Sequence, residues 1–336
     1  MKKIKKAIGL ILCITVFAAM AMGSGSSDSS SATKVGETSS SEDKDTKTSD
    51  KTENVDKGKK SEEKTPMAEI KDKYSVGETM DYKGLKITYV SSSNYTSDND
   101  FIQPADGNKF IRLAFYVDNE SGSDQSISTY SFTCYADGYE CESHYFDDDL
   151  SLSLSNGRTG EGAVYFEVPE DAKSIEIEYE YDLWNSKKVQ FAFEGDKDSG
   201  FVGEKKGGDV ENAFHVGDII ETKGMKISYL KAAEYTGYSE YFGPADGKKY
   251  IYIELEVENI SDSDKNISYF SFECYADGAS CNGYYGMDDA LSADLSAGRK
   301  AKGTIAFEVP KDAEVIEIEF EDNIWTDSKV IFLYEE

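Results

Sequence analysis

The chain has 336 residues, 39% of them hydrophobic and 12% aromatic, enough apolar side chain for about two separate cores at ordinary domain size. Its 36 basic and 65 acidic residues give a formal charge of -29, a field that repels nucleic acid and anionic lipid head groups. The two histidines, His144 and His215, leave little material for acid–base or metal chemistry at neutral pH, so a non-catalytic binding role is expected, with no cofactor and no nucleic-acid partner.

Four lysines in Met1–Lys6 precede the apolar run "AIGLILCITVFAAMAM", which is shorter than the roughly 20 residues that a bilayer crossing takes. Residues 1–23 therefore read as an export signal. Ala19-Met20-Ala21 offers the small-x-small cleavage spacing, and Ala21-Met22-Gly23 offers a second cut before Ser24. Left uncleaved, this segment would be the chain's membrane contact. Ser24 stands where a bacterial lipoprotein signal carries its cysteine, and only a thiol forms the lipid thioether. A secreted protein, or one held at the cell surface by its signal helix, is expected in place of a lipid-anchored one.

Residues 24–68 are rich in Ser, Thr, Lys, Asp and Glu and nearly free of large apolar side chains, so they cannot offset the entropy of ordering their backbone. A disordered tether is expected there.

Beyond it the sequence repeats with a period of about 140 residues. "VGETMDYKGLKITYV" (76–90) returns as "VGDIIETKGMKISYL" (216–230), and "GRTGEGAVYFEVPEDAKSIEIEYE" (157–180) as "GRKAKGTIAFEVPKDAEVIEIEFE" (298–321). That spacing marks two tandem domains, 69–194 and 214–336, joined by a polar, Gly-rich hinge at 195–213.

The hydrophobic period within each copy is two. Ile111, Leu113, Phe115 and Val117 alternate with polar or aromatic neighbours, as do Ile251, Ile253, Leu255 and Val257 with Tyr252, Glu254, Glu256 and Glu258. No stretch of ten or more residues carries a helical stripe. Seven or eight short strands per copy, each with one wet face and joined by Gly and Asp-Gly turns, describe an all-β chain of two tandem antiparallel immunoglobulin-like β-sandwiches. The outward glutamates read as a solvated face that discourages edge-to-edge pairing, with a cation-binding ladder as the alternative.

"CYADGYEC" (134–141) and "CYADGASC" (274–281) are hairpins whose two-residue Asp-Gly loops place Cys134 opposite Cys141 and Cys274 opposite Cys281. Opposed positions lie within disulfide range, and export would preserve such bonds. Structural disulfides are expected, with free buried thiols or a metal or redox pair as alternatives. Asp147, Asp148 and Asp149, with Asp288 and Asp289 in the second copy, are calcium candidates, although they lack the alternating spacing of an EF-hand loop.

Trp184 and Trp325 lead into the last strand of each copy and are expected to plug one end of the sandwich. An exposed sugar-stacking platform is the rival. Arg158 and Arg299, each after a turn glycine, could clamp a carboxylate or pair with a neighbouring acid. Tyr95 in copy 1 and Tyr235, Tyr238 and Tyr241 in copy 2 sit in the loop after the first long strand, where tyrosines supply rigid contact area for a ligand.

"VGET...GLKITY", "DGNKFIRLAFYVDNES", "LSNGRTGEGAVYFEVPEDA" and their second copies resemble the telokin-like, immunoglobulin-like domains of Gram-positive lipoproteins, domain of unknown function 4352. The resemblance spans both copies and implies exported sandwiches with no catalytic residues. The partner expected is an extracellular protein or a cell-wall component, bound as protein, peptide or glycan. A spacer without a ligand, or a hydrolase with a hidden carboxylate pair, are the alternatives.

Overall fold

The computed structural model describes residues 70–206, 210–222, 224–239, 242–321 and 329–335. The expected export signal and tether lie outside the described residues. The alternating runs are strands, and their apolar faces meet in register. Ile111 pairs with Phe166 and Leu113 with Val164 in copy 1; Ile251 pairs with Phe307 and Ile253 with Ile305 in copy 2. All eight side chains are buried, and each such burial contributes about 1.5–3 kcal/mol.

Copy 1 is a sandwich of two sheets. One orders Lys73–Tyr74, Lys187–Ala192, Ile175–Asp182, Phe132–Ala136 and Tyr139–Glu140; the other orders Lys197–Asp198, Leu85–Tyr95, Asn108–Asn119 and Thr159–Pro169. Copy 2 repeats the plan. Lys329–Leu333, Ile316–Glu321 and Phe272–Ala276 face Ile219–Thr222, Met225–Tyr235, Lys248–Asn259 and Lys300–Pro310, and Ala279–Gly283 joins the layers: it pairs with Phe272–Ala276, with Lys300–Pro310 through Asn282 and Gly283, and with Thr159 of copy 1 through Ala279, so one hydrogen-bonded sheet runs through both copies. Both copies bulge at the same place, between Tyr89 and Ser91 and between Tyr229 and Lys231. The only helical elements among the described residues are two short 3-10 turns, Thr129–Ser131 and Tyr269–Ser271.

A fully buried asparagine builds one turn in each copy. Asn119 Nδ2 donates to the carbonyls of Ser123 and Leu154 (2.8 Å each), while its backbone exchanges bonds with Gly157 N and Arg158 O. Asn259 does the same with Ser263, Leu295, Gly298 and Arg299. The left-handed backbone at Gly157 (φ 82°) and Gly298 (φ 71°) lets the chain reverse there, and the following arginine projects from the tip.

In copy 1 that tip enters copy 2. Arg158 Nη1 and Nη2 donate to Glu317 at 2.7 and 3.1 Å, Nε and Nη2 donate to Glu319 at 3.0 and 2.7 Å, and the guanidinium lies 4.7 Å from the centre of the Tyr275 ring. Ser155 donates from N to the Tyr275 hydroxyl (3.1 Å) and from Oγ to Glu319 (2.6 Å). Lys329 reaches Asp124 at 2.8 Å and Glu319 at 3.3 Å. Arg158, Tyr275, Glu317 and Glu319 are all buried. Two cations meet two glutamates here, so the desolvated charges balance, and the fork of donors is the geometry that makes a buried pair tolerable.

The segment read as a hinge is held down for most of its length. Lys197–Asp198 adds to the edge of Leu85–Tyr95, Phe201 packs on Tyr116 at 5.1 Å, and a Cβ at Gly203 would lie 2.2 Å from that tyrosine ring. Lys206 ties Asp118 (2.5 Å) and Glu120 (3.2 Å), while its backbone N donates to Asp277 O of copy 2 at 2.9 Å. Residues 195–206 are thus a strap, because apolar and charged contacts recur along it every few residues.

Candidate ligand-binding surface

The tyrosine loops fold back onto their own sheets. Tyr95 stands 4.6 Å from Phe146 and 4.8 Å from Tyr165. Tyr235 meets Tyr284 at 5.7 Å, Tyr238 meets Tyr250 at 5.5 Å, and Tyr250 stacks on Tyr284 at 3.9 Å. Tyr95, Tyr235 and Tyr238 are half-buried, and burial raises the Tyr95 hydroxyl above its ordinary pKa. These rings cap the sheet edge with one side still open. Tyr241 lies outside the described residues.

A second aromatic set is more exposed and recurs in both copies. The 3-10 turn pushes Tyr130 outward (79% exposed), where it meets Tyr145 (48%) at 6.0 Å between ring centres. In copy 2 the corresponding Phe270 and Tyr285, 66% and 62% exposed, lie 5.7 Å apart, and Tyr269 packs against both at 4.2 and 5.2 Å. A cavity of about 110 Å³ opens behind these rings and reaches Met287 and Cys281. Sequence reasoning did not single out Tyr130, Tyr145, Phe270 or Tyr285, because one aromatic ahead of a strand carries no sign of which way it projects. The available signal was an aromatic at the same turn position in both copies, answered by another just after each cysteine hairpin.

The acidic candidates are engaged locally. Asp148 accepts from Arg112 and from the Tyr165 hydroxyl; burial works to raise its carboxyl, and these two donors hold it below the usual range. Asp149 accepts from Phe146 N at 3.1 Å and is pushed up to about 6 by burial and then by its two aspartate neighbours. Asp289 accepts from Thr304 Oγ1 at 2.9 Å. Among the described residues no group of three or more His, Cys, Asp or Glu side chains, with Asp147 and Asp288 counted, is arranged to hold a metal ion. The outward glutamates of copy 2 are laced with lysines: Lys300 bridges Glu256 and Glu258, and Lys302 meets Glu254.

The sequence profile of a domain of unknown function, DUF4352, matches residues 74–189 and 214–330, which together cover both sandwiches and more than half of the chain. The protein belongs to the DUF4352 family. Comparison with curated proteins finds no match. Among solved structures, the ycdA protein of Bacillus subtilis shares 13% identity over 35% of this chain, with a TM-score of 0.30. The chain spans 38% of that protein's length. MPT63, a secreted protein of Mycobacterium tuberculosis, shares 12% identity over 37% of this chain and 98% of its own, with a TM-score of 0.29. A β-sandwich protein of Clostridium difficile shares 14% identity over 40% of this chain and 99% of its own, with a TM-score of 0.26.

Two expectations for these DUF4352 copies are corrected. The cysteine hairpins form in the expected register, with Cys274 directly opposite Cys281 and Cys141 N donating to Cys134 O. All four cysteines, Cys134, Cys141, Cys274 and Cys281, are nevertheless free thiols. Cys134 and Cys274 point into the cores, while Cys141 and Cys281 turn their sulfurs toward the carbonyls of Tyr139 and Ala279 at 3.7 and 3.6 Å. Burial pushes Cys134 and Cys274 well up, and the Cys274 thiol holds Cys281 below its usual value. Trp184 plugs nothing; it is 97% exposed on the turn before Lys187–Ala192. Trp325 lies outside the described residues.

Among those residues no helix is long and apolar enough to cross a membrane. Arg158, which the sequence left open between ligand and acid, is spent on Glu317 and Glu319 of the neighbouring copy.

Proposed function

We propose that the protein is an exported, non-catalytic DUF4352 binding module that holds an extended peptide or glycan through its exposed aromatic pairs. The observation that carries this reading is the recurrence of one ring pair in both copies: Tyr130 with Tyr145, and Phe270 with Tyr285. Exposed rings that pack on each other cost no side-chain entropy on binding beyond what the fold has already fixed. Two such platforms on copies joined by a buried ionic seam would engage one long ligand at both points, with the gain that linked sites provide. The lysine-rich, apolar start of the sequence supports export. The strap and seam also suit a spacer that only sets a distance, which is the second reading.

The test is co-sedimentation of the purified chain with insoluble cell-wall polymer, and capture of unfolded or extended peptides, each compared with Tyr130→Ala/Tyr145→Ala and Phe270→Ala/Tyr285→Ala. Binding lost tenfold or more in either double variant, with an unchanged far-ultraviolet spectrum, is expected. Binding that survives both double variants would move the site elsewhere, and no binding to either polymer class would favour the spacer.

A further inference from the structure

The seam between the copies has two unlike halves, and each half exists a second time without being used in the seam. The projecting half on copy 1 is Asp124, Ser155 and Arg158; the receiving half on copy 2 is Tyr275, Glu317, Glu319 and Lys329. At the matching positions copy 2 carries Asp264, Ser296 and Arg299, and copy 1 carries Tyr135, Glu176, Glu178 and Lys188. These seven side chains keep their type, while Thr159, buried where it donates to Gly278 O in the seam, is Lys300 in copy 2.

The backbone that presents them is retained too. Glu176 pairs with Tyr135 as Glu317 pairs with Tyr275, and the Arg299 turn is tied to Asn259 as the Arg158 turn is tied to Asn119. The difference is burial: Ser296, Arg299 and Glu176 are exposed and Tyr135 is half-buried, where their counterparts in the seam are closed off from solvent. We infer that a second copy of this chain docks by repeating the seam, the Arg299 turn of one molecule seating on the Tyr135, Glu176 and Glu178 face of the next.

Charge complementarity and continuity with the internal interface both point to this occupant. The strap cation Lys206, which neutralises Asp118 beside the internal seam, has a stand-in: Lys300 meets Glu258 at 3.0 Å at the corresponding place. Tyr139, 81% exposed on the tip of the copy 1 hairpin, takes the position of Ala279, whose carbonyl neighbour Gly278 receives Thr159 N in the internal seam. Docking would cover that ring. Such contacts are head-to-tail, so each molecule keeps one free projecting end and one free receiving face, and association yields open chains. The strap's own contacts to Asp277 are missing between molecules, and association must meet the loss of translational freedom that the internal seam avoids. The contact is therefore weak in dilute solution and favoured where molecules are crowded on a surface.

The experiment is sedimentation velocity on the purified chain over a concentration series to about 1 mM in about 0.15 M salt, where screening over about 8 Å mutes the repulsion of the acidic bodies. Wild type is expected to shift toward larger species with concentration, with no limiting dimer. Arg299→Glu, which keeps the receiving face, and Glu176→Arg/Glu178→Arg, which keeps the projecting turn, are each expected to stay monomeric with unchanged melting temperature. Their equimolar mixture is expected to regain association, because the intact Arg299 turn of one variant meets the intact Glu176 and Glu178 face of the other and the two reversed sets are again opposite in charge. A wild type that is monomeric throughout, an Arg299→Glu protein that associates like wild type, or a mixture that stays monomeric would each overturn the inference.

Discussion

Replacing Arg158 with methionine tests the seam most directly, because the methionine keeps an apolar stem over the Tyr275 ring and removes only the charged fork. Glu317 and Glu319 would then face each other while 0% and 4% exposed, with Lys329 alone to offset them. Breaking one side of a buried ion pair costs about 3–5 kcal/mol, most of it from the uncompensated charge left behind. The cost has a ceiling: once it exceeds what couples the copies, the seam opens and water reaches the glutamates. Urea unfolding followed by far- and near-ultraviolet circular dichroism, the latter reporting the buried tyrosines such as Tyr89, Tyr229 and Tyr275, reads both regimes. With an m-value of about 2–3 kcal/mol per molar urea, the midpoint is expected to fall by roughly 1–2 M, or one transition to split into two. Arg299→Met is the internal control, the same residue on the same turn but exposed, and it should change stability by less than about 0.5 kcal/mol. Equal effects of the two substitutions would refute the claim that burial, and not residue type, makes Arg158 structural.

Three further outcomes follow from the same geometry. Tyr275→Phe strips the hydroxyl that Ser155 N donates to and that itself donates to Ser153 O, so a loss of about 1–2 kcal/mol is expected, while Tyr135→Phe should be near neutral; thermal melts of the pair decide it. Asp149 has its folded pKa raised from 3.8 to about 6 by burial, so its contribution is most favourable below the unfolded value and is lost as pH rises toward 6. Asp149→Asn keeps an acceptor for Phe146 N and should therefore stabilise the protein at pH 8, by about 1 kcal/mol after solvent screening, and have little effect at pH 3; a pH series of chemical denaturation that shows the reverse trend would sink the assignment. Iodoacetamide mapping of the native protein should label Cys281 before Cys274, because the buried thiol of Cys274 is held protonated while it supports the thiolate of its neighbour. Unfolded protein should yield all four sandwich cysteines as alkylated residues.

The sandwich was legible because a half-buried strand writes its geometry into alternate residues, as Ile111 to Val117 and Ile251 to Val257 do. The hairpins were legible for a second reason: Asp137 and Gly138 both adopt positive φ (49° and 85°), as do Asp277 and Gly278 (50° and 83°), the two-residue turn that fixes which positions oppose each other. Opposition does not make a bond, however, and rotation of Cys141 and Cys281 toward backbone carbonyls was invisible in the sequence. Trp184 shows another limit, since a large ring beside an apolar strand gives no sign of which way its turn projects. The seam was the least legible feature. Arg158 and Glu317 are 159 positions apart, and "GR" and "IEIE" occur identically in both copies, so no local signal distinguishes the pair that is buried from the pair left in water.

What breaks the symmetry between identical halves is the chain that joins them. The strap leaves copy 1 through Lys197–Asp198, follows Tyr116, and delivers Lys205 and Lys206 to Asp277 at the tip of the copy 2 hairpin. That route holds the Arg158 turn of copy 1 against the Glu317 face of copy 2 and not the reverse. Once the tip of that hairpin is fixed, Thr159 N can donate to Gly278 O, and the guanidinium is carried into the site with little freedom left to lose. On copy 1 the same receiving glutamate, Glu178, settles for an exposed lysine at 2.9 Å, an arrangement worth little in water. Identical side chains therefore do unlike work according to whether a covalent strap has already supplied the entropy of meeting, and the contact between molecules must find that entropy from concentration alone.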